Sequence, residues 1–148
     1  MTSSEQIPLP RRHFTVTDFH RMGETGVLGE DERVELIEGE IIQMTPIGSP
    51  HGGRINQLNR LLIQAVGERA VVAVQNPVAL DEQSEPEPDL ALLRPRADFY
   101  TDSHPGAADV LLLIEVADSS LRIDRDVKVP LYARHGIPEV WIVAIGER

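Results

Sequence analysis

The sequence contains no cysteine. This absence excludes a disulfide scaffold, thiolate catalysis and any zinc site built on cysteine ligands. No apolar run approaches the roughly 18 residues that are needed to span a bilayer, and the N-terminus lacks the apolar core of a secretory signal peptide. We therefore expect a cytoplasmic protein that does not associate with membranes.

Lysine is almost as scarce as cysteine. Of the 14 basic residues, Lys128 is the one lysine and the others are arginine, against 24 acidic residues. The net charge of −10 argues against a protein that coats nucleic acid non-specifically, because phosphate binding depends on clustered cations. It does not exclude an enzyme with a local basic groove and an acidic metal site.

The 148 residues suit one domain. Residues 1–13 carry prolines and arginines and little apolar content, which predicts a flexible arm before a single domain at 14–148. A short helix capped by Thr15 or Thr17 should follow and end near Met22. A hairpin is then expected on either side of Glu38-Gly39-Glu40.

The rest of the chain alternates helical and extended patterns. Ser49-Pro50 is typical of a helix start, and apolar residues at helical spacing predict an amphipathic helix at 50–66. A long loop is expected at 94–108. Further elements are predicted in the order strand, strand, central strand, helix and buried strand, at 70–80, 90–93, 110–116, 127–135 and 139–145. This order predicts a mixed α/β domain, with one sheet and helices on its faces.

Two carboxylates occur where acids are normally avoided. Glu115 lies inside the apolar run VLLLIEVA, and Asp89 directly precedes Leu90 and its apolar neighbours. A buried carboxylate needs a cation, several hydrogen-bond donors or access to water. On neighbouring strands the two acids would converge on one hard cation such as Mg²⁺. The alternative is that each caps a strand end or pairs with an arginine.

Lys128 and Glu38 extend this hypothesis. A lysine at a helix start shortly after Glu115 would bring an ammonium beside the same metal, where it could stabilise charge on a phosphate. Glu38 would then be a third carboxylate of the site. In the alternative interpretation Lys128 is a solvated helix residue and Glu38 an exposed turn residue.

Six sequence blocks together resemble the Uma-type family of restriction-endonuclease-like proteins, within the PD-(D/E)XK nuclease superfamily. The resemblance covers about residues 14–143. The blocks are LIEGEI (36–41), His51, PEPDLALL (86–93), LLIEVADSS (112–120), the Asp124, Lys128 and Tyr132 ladder, and YARHGIPEVWIV (132–143). The resemblance implies an α-β-β-β-α-β core, preceded by a short helix and a β-hairpin, and cleavage of DNA phosphodiesters that depends on Mg²⁺ or Mn²⁺.

The resemblance also assigns roles to residues of this chain. Asp89 matches the PD aspartate and Glu115 the acid of the third motif, so these two would be metal ligands. Ala117 stands where the superfamily usually has its lysine, and Lys128 matches a lysine moved onto the following helix. Glu38 matches the acid of the N-terminal block. Accessory roles would fall to His51, Asp124 and Tyr132.

Two departures from the family pattern bear on activity. EVADSS replaces a stretch that commonly carries serine and proline, and the chain stops at WIVAIGER where relatives usually continue with further strands. The second departure suggests a C-terminally truncated domain or one covered by a partner chain. An inactive nuclease-like fold, serving in DNA binding or protein interaction, is therefore the alternative function. The acidic net charge favours it, and the Asp89, Glu115 and Lys128 set disfavours it.

Other chemistries are less compatible with the sequence. No G-x-S-x-G elbow exists for a serine hydrolase, and no glycine-rich loop precedes Lys128. The five histidines lack the short paired spacing of a zinc site, so none is expected. A homodimer is expected, because cutting both strands of a duplex requires two sites. DNA would contact a local rim of arginines, with candidates Arg11, Arg12, Arg54, Arg60, Arg122 and Arg125.

Overall fold

The protein is described by a computed structural model that covers residues 7–44, 46, 48–118 and 121–146. Residues 1–6 of the expected arm, residues 119–120 of EVADSS and residues 147–148 lie outside the described residues. Within the described ranges, no helix combines the length and apolar character needed to cross a membrane.

The elements occur in the predicted order. Two helices are continuous, α1 (Val16–Glu24) and α2 (Ser49–Val66). The strands are β1 (Val34–Ile37), β2 (Glu40–Gln43), β3 (Val71–Val74), β4 (Leu90–Leu93), β5 (Val110–Ala117) and β6 (Val140–Ala144). The last helix, called α3 here, joins Leu121–Ile123, a π-helical turn Asp124–Lys128 and Val129–Arg134. Short 3₁₀ turns occupy Gly67–Arg69 and Ala107–Asp109.

The main sheet has the strand order β3-β4-β5-β6. The first three strands are antiparallel, and β6 runs parallel to β5 after the α3 crossover. With α2 before β3, this is the expected α-β-β-β-α-β core, and it confirms the mixed α/β fold. The hairpin forms a separate two-stranded sheet, tied to the segment before β4 by a bridge between Leu36 and Glu85.

Alternation along β5 divides the core between the two faces of the sheet. Leu113 packs on the face covered by the hairpin and α3, with Leu131 and Tyr132. Ile114 and Val116 pack on the opposite face, against α2. Because side chains in a strand alternate, Glu115 shares the face of Leu113 and points toward α3. Full burial of each such aliphatic side chain contributes about 1.5–3 kcal/mol.

The hairpin turn requires left-handed backbone at both central residues. Glu38 has φ 49° and Gly39 φ 80°, which is the pattern of a two-residue hairpin turn. A Cβ on Gly39 would lie 2.5 Å from the His13 Cβ, so glycine is required there by both conformation and space. The turn therefore places Glu38 at the outer end of the hairpin.

Two predicted boundaries and one predicted burial are wrong. The strand expected at 70–80 ends at Val74, because Gln75 has φ 52° and Pro77 supplies no N–H. The helix expected at 127–135 begins at Leu121, and the π-helical turn lies just before Pro130, which cannot join the helical hydrogen-bond ladder. The last strand was expected to be buried, but it is an edge strand whose Trp141 is 43% exposed.

Candidate active site

A narrow cleft opens where β5, the start of β4, the hairpin and α3 meet. It is lined by acidic and basic side chains, namely Arg33, Glu35, His51, Asp89, Glu115, Asp124 and Lys128. Most of these side chains are buried, although a charged group is normally kept in water. Burying such groups costs free energy, and in this fold that cost is concentrated in the cleft.

Asp89 lies at the point where strand pairing stops. The β4–β5 ladder ends at Leu90 and Ile114, and beyond it the Asp89 Oδ2 accepts a hydrogen bond of 2.7 Å from the Val116 backbone N–H. His51 Nε2, on the first turn of α2, is 3.3 Å from the same oxygen. These two contacts fix the Asp89 carboxylate beside the β5 residue that precedes Val116, which is Glu115.

Glu115 receives two hydrogen bonds from α3. Its Oε1 accepts from Lys128 Nζ at 2.9 Å and from the Tyr132 hydroxyl at 2.7 Å. Lys128 and Tyr132 are four residues apart, and side chains at that spacing lie on one face of a helix. Lys128 therefore approaches Glu115 as predicted, and Asp89, directly before β4, lines the same cleft as Glu115 of the adjacent strand β5.

Glu35 is a site residue that sequence reasoning missed. Lys128 Nζ lies 3.0 Å from Glu35 Oε1, and the same oxygen accepts a hydrogen bond of 3.1 Å from the Glu87 backbone N–H. Glu35 is 5% exposed, between apolar neighbours in β1. An acid within an apolar run is the signal that singled out Glu115, and it was available in VELI as well.

Glu38 lies outside this cleft. It occupies the hairpin turn, its side chain is 62% exposed, and it pairs with Arg134 near the end of α3. The expectation that Glu38 faces the same cleft as Lys128 is wrong in this structure. The reason is geometric, because the strand carries Glu35 inward while the tight turn carries Glu38 out toward solvent.

Burial dominates the electrostatics of the cluster. It raises the pKa of Glu115 to about 8, since the nearby Asp89 and Asp124 charges add to the effect and the Lys128 ammonium only partly opposes it. Burial alone would lower the pKa of Lys128, but Glu115, Tyr132 and Glu35 outweigh it and hold this pKa well above its usual value. Burial and the Glu115 charge raise the pKa of Tyr132 well above its usual value. Lys128 is therefore an ammonium and Tyr132 a neutral hydroxyl donor at neutral pH.

The donor set suits a hard divalent cation. The hydrogen bonds described for the two acids fall on Oε1 of Glu115 and Oδ2 of Asp89. The second oxygen of each carboxylate is thus the atom with which the pair would hold a metal. Mg²⁺ binds in this way, through one or two protein carboxylates and several waters. A cation would also supply positive charge to a cleft that holds four acids.

The other predicted residues divide between the cleft and the surface. Asp124 is 4% exposed and lines the cleft with His51. The predicted DNA-contact residues Arg54, Arg60, Arg122 and Arg125 are exposed on α2 and α3. Arg12 lies over the Phe14 ring at 5.7 Å. Arg33 lines the cleft itself and is a basic residue that the sequence reading did not select.

Comparison with known proteins identifies a family and a similar fold. The family model described as "Uma2: Putative restriction endonuclease" matches residues 16–148. The crystal structure of "a putative nuclease belonging to DUF820" from Anabaena variabilis has a TM-score of 0.64 and 15% identity, and the match covers 88% of this chain and 74% of that one. No curated protein matches the sequence. The chain belongs to the Uma2 family.

Proposed function

We propose that this Uma2-family chain is a divalent-metal-dependent endonuclease that hydrolyses phosphodiester bonds of DNA in the cytoplasm. The observation that carries the proposal is the Lys128 ammonium, buried between Glu115 and Glu35 in the cleft that also contains Asp89. Burying an ammonium among several acids is costly when packing alone is the purpose. In a site for metal-assisted phosphoryl transfer, each of these groups would have a role in binding the metal, stabilising charge or positioning another residue.

Each residue has a defined part in the proposed reaction. Asp89 and Glu115 would hold Mg²⁺ or Mn²⁺, and the cation would polarise the phosphate and acidify a water molecule. Lys128 would stabilise the negative charge that develops on the phosphate oxygens as water attacks phosphorus and the leaving oxygen departs. Catalysis by such a site depends on positioned charge more than on covalent chemistry.

The remaining groups keep the site in position. Tyr132 donates a hydrogen bond to Glu115, and Glu35 pairs with Lys128. His51 contacts Asp89. Side chains whose rotamers are fixed in this way need little rearrangement when charge develops. Arg33 and the arginines of α2 and α3 would supply the local positive rim that an acidic protein needs for DNA. A homodimer would bring two such sites to the two strands.

The test is nicking of supercoiled plasmid by the wild-type chain in Mg²⁺, Mn²⁺ or EDTA. We expect cleavage with either metal and none in EDTA, and we expect Asp89→Asn to abolish it. Glu82→Gln, a change of an exposed acid away from the cleft, is the matched control and should cleave normally. Cleavage that is unaffected by Asp89→Asn would contradict the proposal.

DNA binding separates an enzyme from an inactive module. Fluorescence anisotropy with Ca²⁺ in place of Mg²⁺ blocks turnover and isolates affinity across a salt series. With about three to five phosphate contacts, the slope of log K against log salt should be near −3 to −4.5. Binding of equal strength in EDTA would exclude a metal bridge, and binding without cleavage in any metal would favour the inactive module.

A further inference from the structure

A second group of metal-ligating side chains lies away from the cleft. His20 Nε2 is 2.7 Å from Glu85 Oε2, and His104 Nε2 is 3.7 Å from Glu85 Oε1. One ligand atom from each of the three residues falls within 4.8 Å of the others, and among the residues that the structure describes no other trio of histidine, aspartate or glutamate does so. We call these three residues the His–Glu trio.

Two members of the trio are held by backbone hydrogen bonds. His20 is on α1, whose first residue, Val16, donates from its N–H to Glu82 O at 2.7 Å. Glu85 is fixed in the bridge to the hairpin, where its N–H donates to Leu36 O at 2.8 Å. The segment just before β4 therefore fixes both the helix carrying one ligand and the carboxylate between the ligands.

The third member is fixed although it belongs to a long loop. On one side of His104, the Ser103 carbonyl accepts a hydrogen bond of 2.8 Å from the Arg96 guanidinium. On the other side, the Pro105 carbonyl accepts one of 2.8 Å from the Ala79 N–H. Anchors on both neighbours direct the His104 ring toward Glu85. A site whose ligands are positioned in advance loses little freedom when it binds an ion.

The burial of Glu85 also favours a bound cation. Its side chain is 2% exposed, and the ion pairs described for its carboxylate are with the two imidazoles. A divalent ion bound by the three groups would place positive charge beside this buried carboxylate. Both histidine side chains are 46% exposed, so an ion can reach the three groups from solvent.

We infer that the His–Glu trio is a binding site for a transition-metal ion of the Zn²⁺ class, separate from the Asp89–Glu115 cleft. Two imidazole nitrogens and one carboxylate oxygen are a zinc ligand set, whereas Mg²⁺ prefers oxygen alone. Tetrahedral zinc would set the ligand atoms about 3.3 Å apart, between the 2.7 Å and 3.7 Å at which the two histidine nitrogens lie from the Glu85 oxygens. All three side chains line a surface cavity of about 400 Å³, from which water would complete the coordination.

The bound ion joins three segments that are distant in sequence. It fastens α1 and the loop at 94–109 to the segment before β4, and this contact is independent of the proposed nuclease reaction. His20 and His104 are 84 positions apart, so no short sequence motif indicates the site. The expectation that the histidines form no zinc site rested on that missing motif, and folding removes the objection for His20 and His104.

The test is calorimetric titration of the full chain with Zn²⁺ in excess Mg²⁺, which keeps the carboxylates of the cleft occupied. We expect one equivalent of Zn²⁺ to bind, and His20→Ala and His104→Ala each to weaken binding more than about tenfold. The matched control is His135→Ala, which removes another histidine that pairs with a carboxylate, Asp81. It should bind like the wild type.

A spectroscopic measurement and a stability measurement complete the test. Co²⁺ in place of Zn²⁺ should give the visible absorption of a four-coordinate site, and His104→Ala should remove it. Zn²⁺ should raise the melting temperature of the wild type and not that of His104→Ala. Zinc affinity unchanged in both trio variants would place the ion elsewhere and overturn the inference. A folded wild-type chain that binds no Zn²⁺ would show that the trio is a hydrogen-bonded contact only.

Discussion

The helix α3 forms two ion pairs with the same hairpin, in opposite environments. Lys128 pairs with Glu35 at 3.0 Å, and the two side chains are 3% and 6% exposed. Arg134 pairs with Glu38, and those side chains are 53% and 62% exposed. Both pairs join a basic residue of α3 to a glutamate of the hairpin. The depth at which each pair lies is what separates a candidate catalytic site from a surface contact.

Burial changes what an ion pair does for a protein. An exposed pair contributes about 0–1 kcal/mol, because water screens the attraction and the side chains lose freedom. A buried pair is costly to form and more costly to break, since removing one partner leaves an uncompensated charge. The proposed nuclease function would account for the burial of the Lys128–Glu35–Glu115 group.

The largest expected difference is in the stability lost when the basic residue of each ion pair is removed. Lys128→Met leaves Glu35 and Glu115 buried without their ammonium and should lower the free energy of unfolding by about 3–5 kcal/mol. Arg134→Met, the matched change at the last residue of α3, should lower it by less than about 1 kcal/mol. Urea denaturation followed by circular dichroism measures both. Equal losses for the two variants would show that burial is not the deciding factor.

The next difference concerns Glu35 and Glu38, two acids of the hairpin. Glu35→Gln removes the charge that holds Lys128 in place and should reduce plasmid nicking by about 10- to 100-fold, as for other groups that support a reactive site. Glu38→Gln makes the same chemical change three positions away and should nick within about twofold of wild type. Initial rates at saturating Mn²⁺ provide the comparison. A Glu38→Gln variant as impaired as Glu35→Gln would return Glu38 to the site.

The smallest expected effect concerns the surface pair of His135 and Asp81, 2.8 Å apart near the end of α3. Burial alone would lower the pKa of His135, but the hydrogen bond to Asp81 outweighs it and raises this pKa above 6.5. Burial would likewise raise the pKa of Asp81, but hydrogen bonds from His135 and Gln83 outweigh it and lower this pKa below 3.8. The pair therefore stabilises the fold most between about pH 4 and 6.5.

The stabilisation by the His135–Asp81 pair decreases on both sides of that pH window. The contribution of His135 is lost as pH rises through its raised pKa, and that of Asp81 is lost as pH falls through its lowered pKa. His135→Asn should thus lower the melting temperature by about 1–3 °C near pH 5.5 and by less at pH 9. Differential scanning calorimetry across this range checks it. A difference that grows above pH 8 would contradict the assignment.

The fold follows closely from local sequence patterns. Helical spacing after Ser49-Pro50 predicted α2, and the apolar run that becomes β5 predicted the central strand of the sheet. Two of the errors are local. Pro77 and the left-handed Gln75 shorten β3, and α3 begins at Leu121, before the π-helical turn that precedes Pro130. Strand order decides that β6 lies at an edge, and the composition of β6 does not reveal this.

The sequence by itself determined which acids deserved attention in two cases, Asp89 and Glu115, because a carboxylate in an apolar run is costly wherever the chain folds. Lys128 was conspicuous as the one lysine. Only the tertiary structure decided that Glu35 rather than Glu38 joins them, and that His20 and His104 meet at Glu85. Side-chain alternation and turn geometry determine which of two nearby residues faces the interior. The packing of elements that are far apart in the sequence brings distant residues together. Neither is a property of spacing along the sequence.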